Sequence, residues 1–251
     1  MNRIIVDNNK FLSNEDNVII SNNTIKFISS GEYEFDIKDS NNINIDIYFK
    51  DDVNIDIYIL NTNNISGKIN YNLDKNSKIQ LYKFSDINNS NLEEYIYLNG
   101  EGSSINYNFS SIVSGIYNGK MKIFHNNNYV SSYINNKCVG NDGAKVYFDI
   151  DSILEMGNVS CVMDQTSKVM CMGDVDAKIC PNMYIDEDDV EARHGSVIGR
   201  FSDDDIFYLM SRGINYNEAI LLLIKGFVIS NLGLDDEKIK MIYDVIDNKY
   251  N

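Results

Sequence analysis

Six side chains could bind a metal ion or carry sulfur chemistry: Cys138, Cys161, Cys171 and Cys180, with His125 and His194 as the only histidines. No two of the cysteines form a CxxC pair, so a zinc ribbon or an ordinary finger is excluded on spacing. The thiolate is the form that ligates iron or accepts sulfur, so exposure decides which cysteine could act. Cys161 and Cys171 share the parity of Val159, Met163 and Val169 and are expected to point into a core, where a free cysteine is a small hydrophobe. Val175, Ala177 and Ile179 alternate with Asp176, Lys178 and Cys180, which puts Cys180 on the opposite, accessible face. Pro181 fixes the backbone beside that thiol. Cys138 follows Lys137 in a loop-like stretch, and His125 precedes Asn126, Asn127 and Asn128 at an expected turn, which suits a structural ring. The acidic run at 186–189 has no EF-hand spacing and reads as a solvated loop. No G-x-x-x-x-G-K-[ST] phosphate loop occurs.

Composition bounds the framework that must hold these residues. The chain has 251 residues, 43% of them hydrophobic, enough to fill one large domain or one domain with a small appendage. Its net charge of −15, from 37 acidic against 22 basic residues, repels phosphate backbones, so no nucleic acid is expected as a partner. The longest apolar run, at 220–224, is too short for a membrane span, which takes about 20 residues. The opening stretch MNRIIVDNNKFL lacks the apolar segment of a secretory signal, and four cysteines are too few for a disulfide framework. The expectation is a cytoplasmic protein with no membrane partner.

Up to His194 the sequence alternates apolar and polar residues, broken by Asn, Ser, Gly and Asp, and reads as a series of short strands. The strands echo at an offset of ten. Ile43, Ile45 and Ile47 are answered by Val53, Ile55 and Ile57, and Ile69 and Tyr71 by Ile79 and Leu81. Tyr95 and Tyr97 are answered by Ile105 and Tyr107, and Val159 and Cys161 by Val169 and Cys171. An even offset keeps parity, so Ile45, Ile47, Ile55 and Ile57 are expected to face one interior. Such recurrence suggests a solenoid with coils of about 20 residues, starting near residue 20, with a β-sandwich as the alternative. The excess of Asn reads chiefly as nucleotide-composition bias, although Asn also suits corners because it tolerates left-handed backbone. After Phe201 the texture is helical. Ser202 is placed to cap a helix that opens with Asp203, Asp204 and Asp205 and ends at Gly213. Asn215 and Glu218 form a capping-box pair for a second helix, apolar on nearly all sides at 219–224, and a third, amphipathic helix is expected over 235–250.

Residues 189–227 resemble the signature of the SufB/SufD family of iron–sulfur cluster assembly proteins. His194 and Gly195 stand where the family has His-Gly or His-Glu. Phe207, Tyr208, Leu209, Ser211, Arg212, Gly213 and Ile214 match its Phe-Tyr-Leu-x-Ser-Arg-Gly-Ile, and the stretch from Glu218 to Phe227 matches its Glu-Ala…Leu-Leu-Ile-x-Gly-Phe. Pro181 precedes His194 by thirteen residues, as in the family. The resemblance implies a mainly β chain: a right-handed parallel β-helix at 1–195, followed by a small C-terminal α-helical domain at 196–251. It implies a scaffold and not an enzyme. The expected partners are a SufC-like ABC ATPase docking on the helices through Phe207, Tyr208, Arg212, Gly213, Ile214 and Phe227, a second β-helix (itself or another family member), and a cysteine desulfurase or other sulfur donor. A nascent iron–sulfur cluster would be built near the pairing interface, with Cys180 and His194 close together as metal ligands and Cys171 and Cys161 as further candidates. Arg193 and Gly195 flank the histidine where the SufB branch has glutamates, and Val175 stands where that branch has a cysteine, so the motif is SufD-like. A structural solenoid subunit that positions a partner and holds no cluster is the alternative reading.

Overall fold

The computed structural model describes residues 2–13, 17–38 and 42–250. The strands in chain order are β1 (Asn2–Asp7), β2 (Lys10–Leu12), β3 (Val18–Ser21), β4 (Thr24–Phe27), β5 (Gly31–Ile37), β6 (Ile43–Phe49), β7 (Asn54–Asn63), β8 (Gly67–Leu73), β9 (Lys78–Leu98), β10 (Ser104–His125), β11 (Ser131–Asn141), β12 (Lys145–Leu154), β13 (Cys161–Met172), β14 (Asp176–Ile185) and β15 (Val190–Gly199). Three helices follow: α1 (Asp203–Ser211), α2 (Tyr216–Ile229) and α3 (Asp236–Tyr250). The strands wind into a parallel β-solenoid of about 7 turns. One stack runs through β1, β5, β7, the first half of β9, the first half of β10, β11, β13 and β15. The other runs through β4, β6, β8, the second halves of β9 and β10, β12 and β14.

Alternation along each strand sends every second side chain inward, and parallel register stacks like on like. Ile45, Ile47, Ile55 and Ile57 are all at most 1% exposed, as their shared parity requires. Phe27 and Phe49 stack in successive coils with ring centroids 5.4 Å apart. The antiparallel hairpins β1–β2 and β3–β4 lie at the N-terminal end. Because β1 already pairs in parallel with β5, the solenoid includes residues well before residue 20.

A coil is longer than the ten-residue echo suggested. Lys78 pairs with Asn54, 24 residues earlier, and Val162 with Ser131, 31 residues earlier. The echo marks half a coil. Ile43–Phe49 and Asn54–Asn63 belong to opposite stacks, joined by a corner at 50–53 in which Asp52 has a φ of 61°. The corner at 99–103 holds one residue more, which reverses parity: Ile96 and Leu98 face inward while Tyr95 and Tyr97 face out. Val169 and Cys171 lie in the same strand as Cys161, so that echo is internal to β13. Many of the asparagines have a structural place, since Asn8, Asn9, Asn22, Asn42, Asn64 and Asn76 all hold positive φ. At the other side of the coil β9 and β10 bend from one stack into the next without a break, and the register shifts between Val113 and Ile116. A Cβ on Gly115 at this bend would lie 2.0 Å from the Asn88 carbonyl oxygen, so only glycine fits.

The last strand continues through Gly199 before the chain turns into α1. Ser202 occupies the N-cap of α1 with extended backbone, but its side chain makes no capping bond. Asn215 and Glu218 do form the reciprocal capping box of α2. The helices pack on the outer face of the first stack, where Ile224, Val228, Leu232, Ile242 and Ile246 cover Leu60, Phe84, Ile112 and Val139. Burial of each such side chain contributes about 1.5–3 kcal/mol. Ser110 Oγ donates to the Val228 carbonyl at 2.7 Å, and Asn231 Nδ2 donates to the Asn135 carbonyl at 3.1 Å, which fixes the helices against the strands.

Candidate cluster site and docking surface

The C-terminal end of the solenoid is open among the described residues: β14 pairs only with β12, and β15 only with β13. Register carries facing from one coil to the next. Met163, Gln165 and Ser167 point inward and are buried, and they pair with Ala192, His194 and Ser196. His194 therefore has the parity of an interior residue yet is exposed, because no described coil lies over it. Beneath it, Gln165 is 1% exposed and crosses the interior, donating from Nε2 to Ser152 Oγ at 2.6 Å and to the Asn182 carbonyl at 3.3 Å. Its Oε1 is buried without a partner. The interior is polar at this end: Asn136 Nδ2 donates to Ser167 Oγ at 3.2 Å.

The cysteines separate by facing. Cys180 pairs in register with Asp149 on β12 and lies half-buried on the outer face of the second stack. It lines a groove of about 440 Å³ with Lys120, Tyr147 and Lys178. Cys171 pairs with Gly140 and packs half-buried against the core, where burial raises its thiol pKa and Arg200 offsets part of the rise. Cys161 is 1% exposed, with burial again raising the thiol. Cys138 is a strand residue of β11 and not part of a loop; it is fully buried, and burial pushes its pKa up to about 12. At Cys138, Cys161 and Cys171 burial therefore opposes the thiolate, the form that ligates iron. His125 ends β10 and is buried, with Nδ1 at 3.2 Å from the Ile153 carbonyl and Nε2 at 2.9 Å from Ser132 Oγ. The carbonyl can only accept, so Nδ1 carries the proton and Nε2 accepts from the serine.

Cys180 and His194 sit on opposite stacks, one facing out and the other on the inward row of an open end. Among the described residues no three His, Cys, Asp or Glu side chains gather closely enough to hold a metal ion. Gln165 escaped the sequence reading. Its place beneath His194 depends on a coil of 29 residues, a length that the ten-residue echo does not reveal.

The helices leave a second surface uncovered. Phe207 is 74% exposed, Tyr208 58% and Leu222 48%. Arg212 stacks on the Tyr208 ring at 5.3 Å, Gly213 closes α1 at φ 91°, and Ile214 is half-buried. Phe227 instead turns inward, edge-on to Phe201 at 6.0 Å. Ile206 is the only buried residue of α1, so the rest of that helix projects from the solenoid.

The family model for the SUF system FeS cluster assembly SufBD core domain matches residues 5–227. The chain belongs to the SufB/SufD family. The iron–sulfur cluster assembly protein SufD of Bacillus subtilis is 34% identical over 134 residues, covering 51% of this chain and 30% of that protein. SufD of Escherichia coli is 30% identical over 137 residues, covering 52% of this chain and 31% of its own length. The matched stretches span less than a third of each relative. Family membership supports a role in SUF iron–sulfur cluster assembly. No helix among the described residues is long and apolar enough to cross a membrane.

Proposed function

We propose that this chain is a non-enzymatic scaffold subunit that holds a nascent iron–sulfur cluster as cargo and works with a SufC-like ABC ATPase in the cytoplasm. The observation that carries the reading is His194: an imidazole on the inward row of the last strand, exposed at an open solenoid end. Imidazole ligates iron in some clusters. The half-buried thiol of Cys180, on the outer face of the opposite stack, is a second candidate for iron or sulfur, and a partner chain seated on the open end supplies the ligands that His194 lacks. That division fits the lack of a three-ligand group within the described residues. Cys171 and Cys161 are reserve candidates whose burial opposes the thiolate. The partner is a second copy or another family member, and sulfur arrives from a desulfurase or another donor.

The ATPase docks on α1 and α2. Exposure of Phe207 and Tyr208, with Arg212, Gly213 and Ile214 alongside, supports this placement, and Phe227 supports it from below by anchoring α2. The cluster reading is tested by anaerobic reconstitution of wild type, Cys180→Ser and His194→Ala with iron and sulfide, each in the presence of its pairing partner. Iron content and charge-transfer absorbance are expected to fall in both variants. Wild-type values in both would remove these residues from the ligand set, and a loss confined to Cys171→Ser would move the site into the core.

A further inference from the structure

Lys137 on β11 and Lys168 on β13 are direct neighbours in register on the outer face of the first stack. Like charges directly opposed across two strands repel. Among the described residues neither lysine has a carboxylate within ion-pair reach. Lys137 instead lies 5.3 Å over the Phe227 ring and donates to Ser230 Oγ. Burial and the neighbouring Lys168 both hold its ammonium below the ordinary lysine range. The pair is not left unneutralised for want of acids, since the chain has 37 of them.

The two lysines border a groove of about 330 Å³. Asn108, Asn135 and Thr166 form one register row across its floor, beside the lysine row. The one carboxylate along the groove, Asp164, is held 3.0 Å from the Arg193 guanidinium. What remains is two adjacent cations with neutral amide and hydroxyl groups around them, in a space within the range of small-molecule sites.

We propose that this groove binds a small phosphate-bearing anion. A phosphate monoester carries about −1.5 to −2 charges at neutral pH and matches two ammonium groups, whereas a single carboxylate leaves one unpaired. Asn108 and Thr166 then supply hydrogen bonds to the remaining oxygens. An acidic peptide is a poorer occupant, because most of its length would have to lie along a surface of net charge −15.

The test is calorimetric titration of the full chain with inorganic phosphate at constant ionic strength, chloride making up the balance. Wild type is expected to give saturable one-site binding. Lys137→Gln/Lys168→Gln should weaken it by about tenfold or more. Lys26→Gln/Lys68→Gln removes the same charge from the other stack and should stay within about twofold. Lys168→Gln alone, a side chain with no ion pair or hydrogen bond of its own among the described residues, should weaken binding by about threefold and serves if the double variant fails to fold. No saturable binding by wild type, or equal affinity in all variants, overturns the proposal. Binding of a polyglutamate peptide without phosphate binding also overturns it and makes the groove a protein contact.

Discussion

His125 and His194 have the same side chain and opposite circumstances. His194 meets solvent at an open end, whereas His125 is enclosed, and burial lowers its pKa to about 4 from 6.5. A depressed histidine pKa means that the unfolded chain takes up a proton before the folded one does. The contribution to stability is therefore complete above pH 6.5 and is lost as pH falls through the window between the two values. His125→Gln should abolish this component: from pH 7 to about 4.5 the wild type should lose roughly 2 kcal/mol more than the variant, read by urea unfolding. Equal losses would mean that the ring is hydrated or paired differently. A second buried group lies deeper. Lys83 and Glu94 are 1% and 3% exposed and pair at 2.8 Å, and Tyr71 and Tyr107 donate to the same carboxylate at 3.0 and 2.5 Å. Removing one charge from such a pair leaves the other uncompensated. Lys83→Met is expected to cost roughly 3–5 kcal/mol, and Lys83→Met/Glu94→Leu to recover most of it, both by denaturant unfolding. If the double change costs as much as the single one, the tyrosines and not the ion pair hold the network.

At the scale of elements, much was legible in the sequence because alternation and capping are local. The inward parity of Ile45 and Ile55, the outward parity of Cys180 and the Asn215–Glu218 capping box all follow from residues within a few positions of one another. What was not legible depends on the length of corners. One additional residue at 99–103 turned Tyr95 and Tyr97 outward, and the full coil length set which residue lies beneath His194. Cys138 read as a loop because Asn135, Asn136 and Lys137 precede it, although Asn135 and Lys137 face out while Asn136 and the thiol face in. The helical part presents a related distinction. Deleting it would uncover Phe84, Ile112 and Val139, so a truncated solenoid would expose apolar surface and confound a binding assay. Surface substitutions avoid that. Phe207→Asp/Tyr208→Ala lies on the exposed side of α1, and it should abolish co-purification with the ATPase while leaving the melting temperature within a few degrees of wild type. Retained binding by a folded variant would place the docking surface elsewhere.

For the molecule as a whole, the open end and the net charge act against each other. Two strand edges and the exposed Tyr184, Val197 and Ile198 at the last coil are surfaces that pairing with another chain would cover. Symmetric pairing of two copies would bring the same patch together across a two-fold axis. Each copy, however, carries −15, and that repulsion extends over about a Debye length, which shortens from about 14 Å to about 6 Å as ionic strength rises from about 0.05 to 0.3 M. A homodimer held by apolar contact and strand edges should therefore tighten as salt is added, whereas one held by interfacial ion pairs should loosen. Light scattering at micromolar concentration is expected to show a dimer whose population grows over that range. Val197→Asp/Ile198→Asp, changed at exposed positions, should return it to monomer at every salt concentration. A wild type that stays monomeric throughout would mean that a second, less acidic family member covers this end. A dimer unaffected by the two aspartates would mean that pairing uses another face, and His194 would then lie outside the shared surface on which the cluster reading depends.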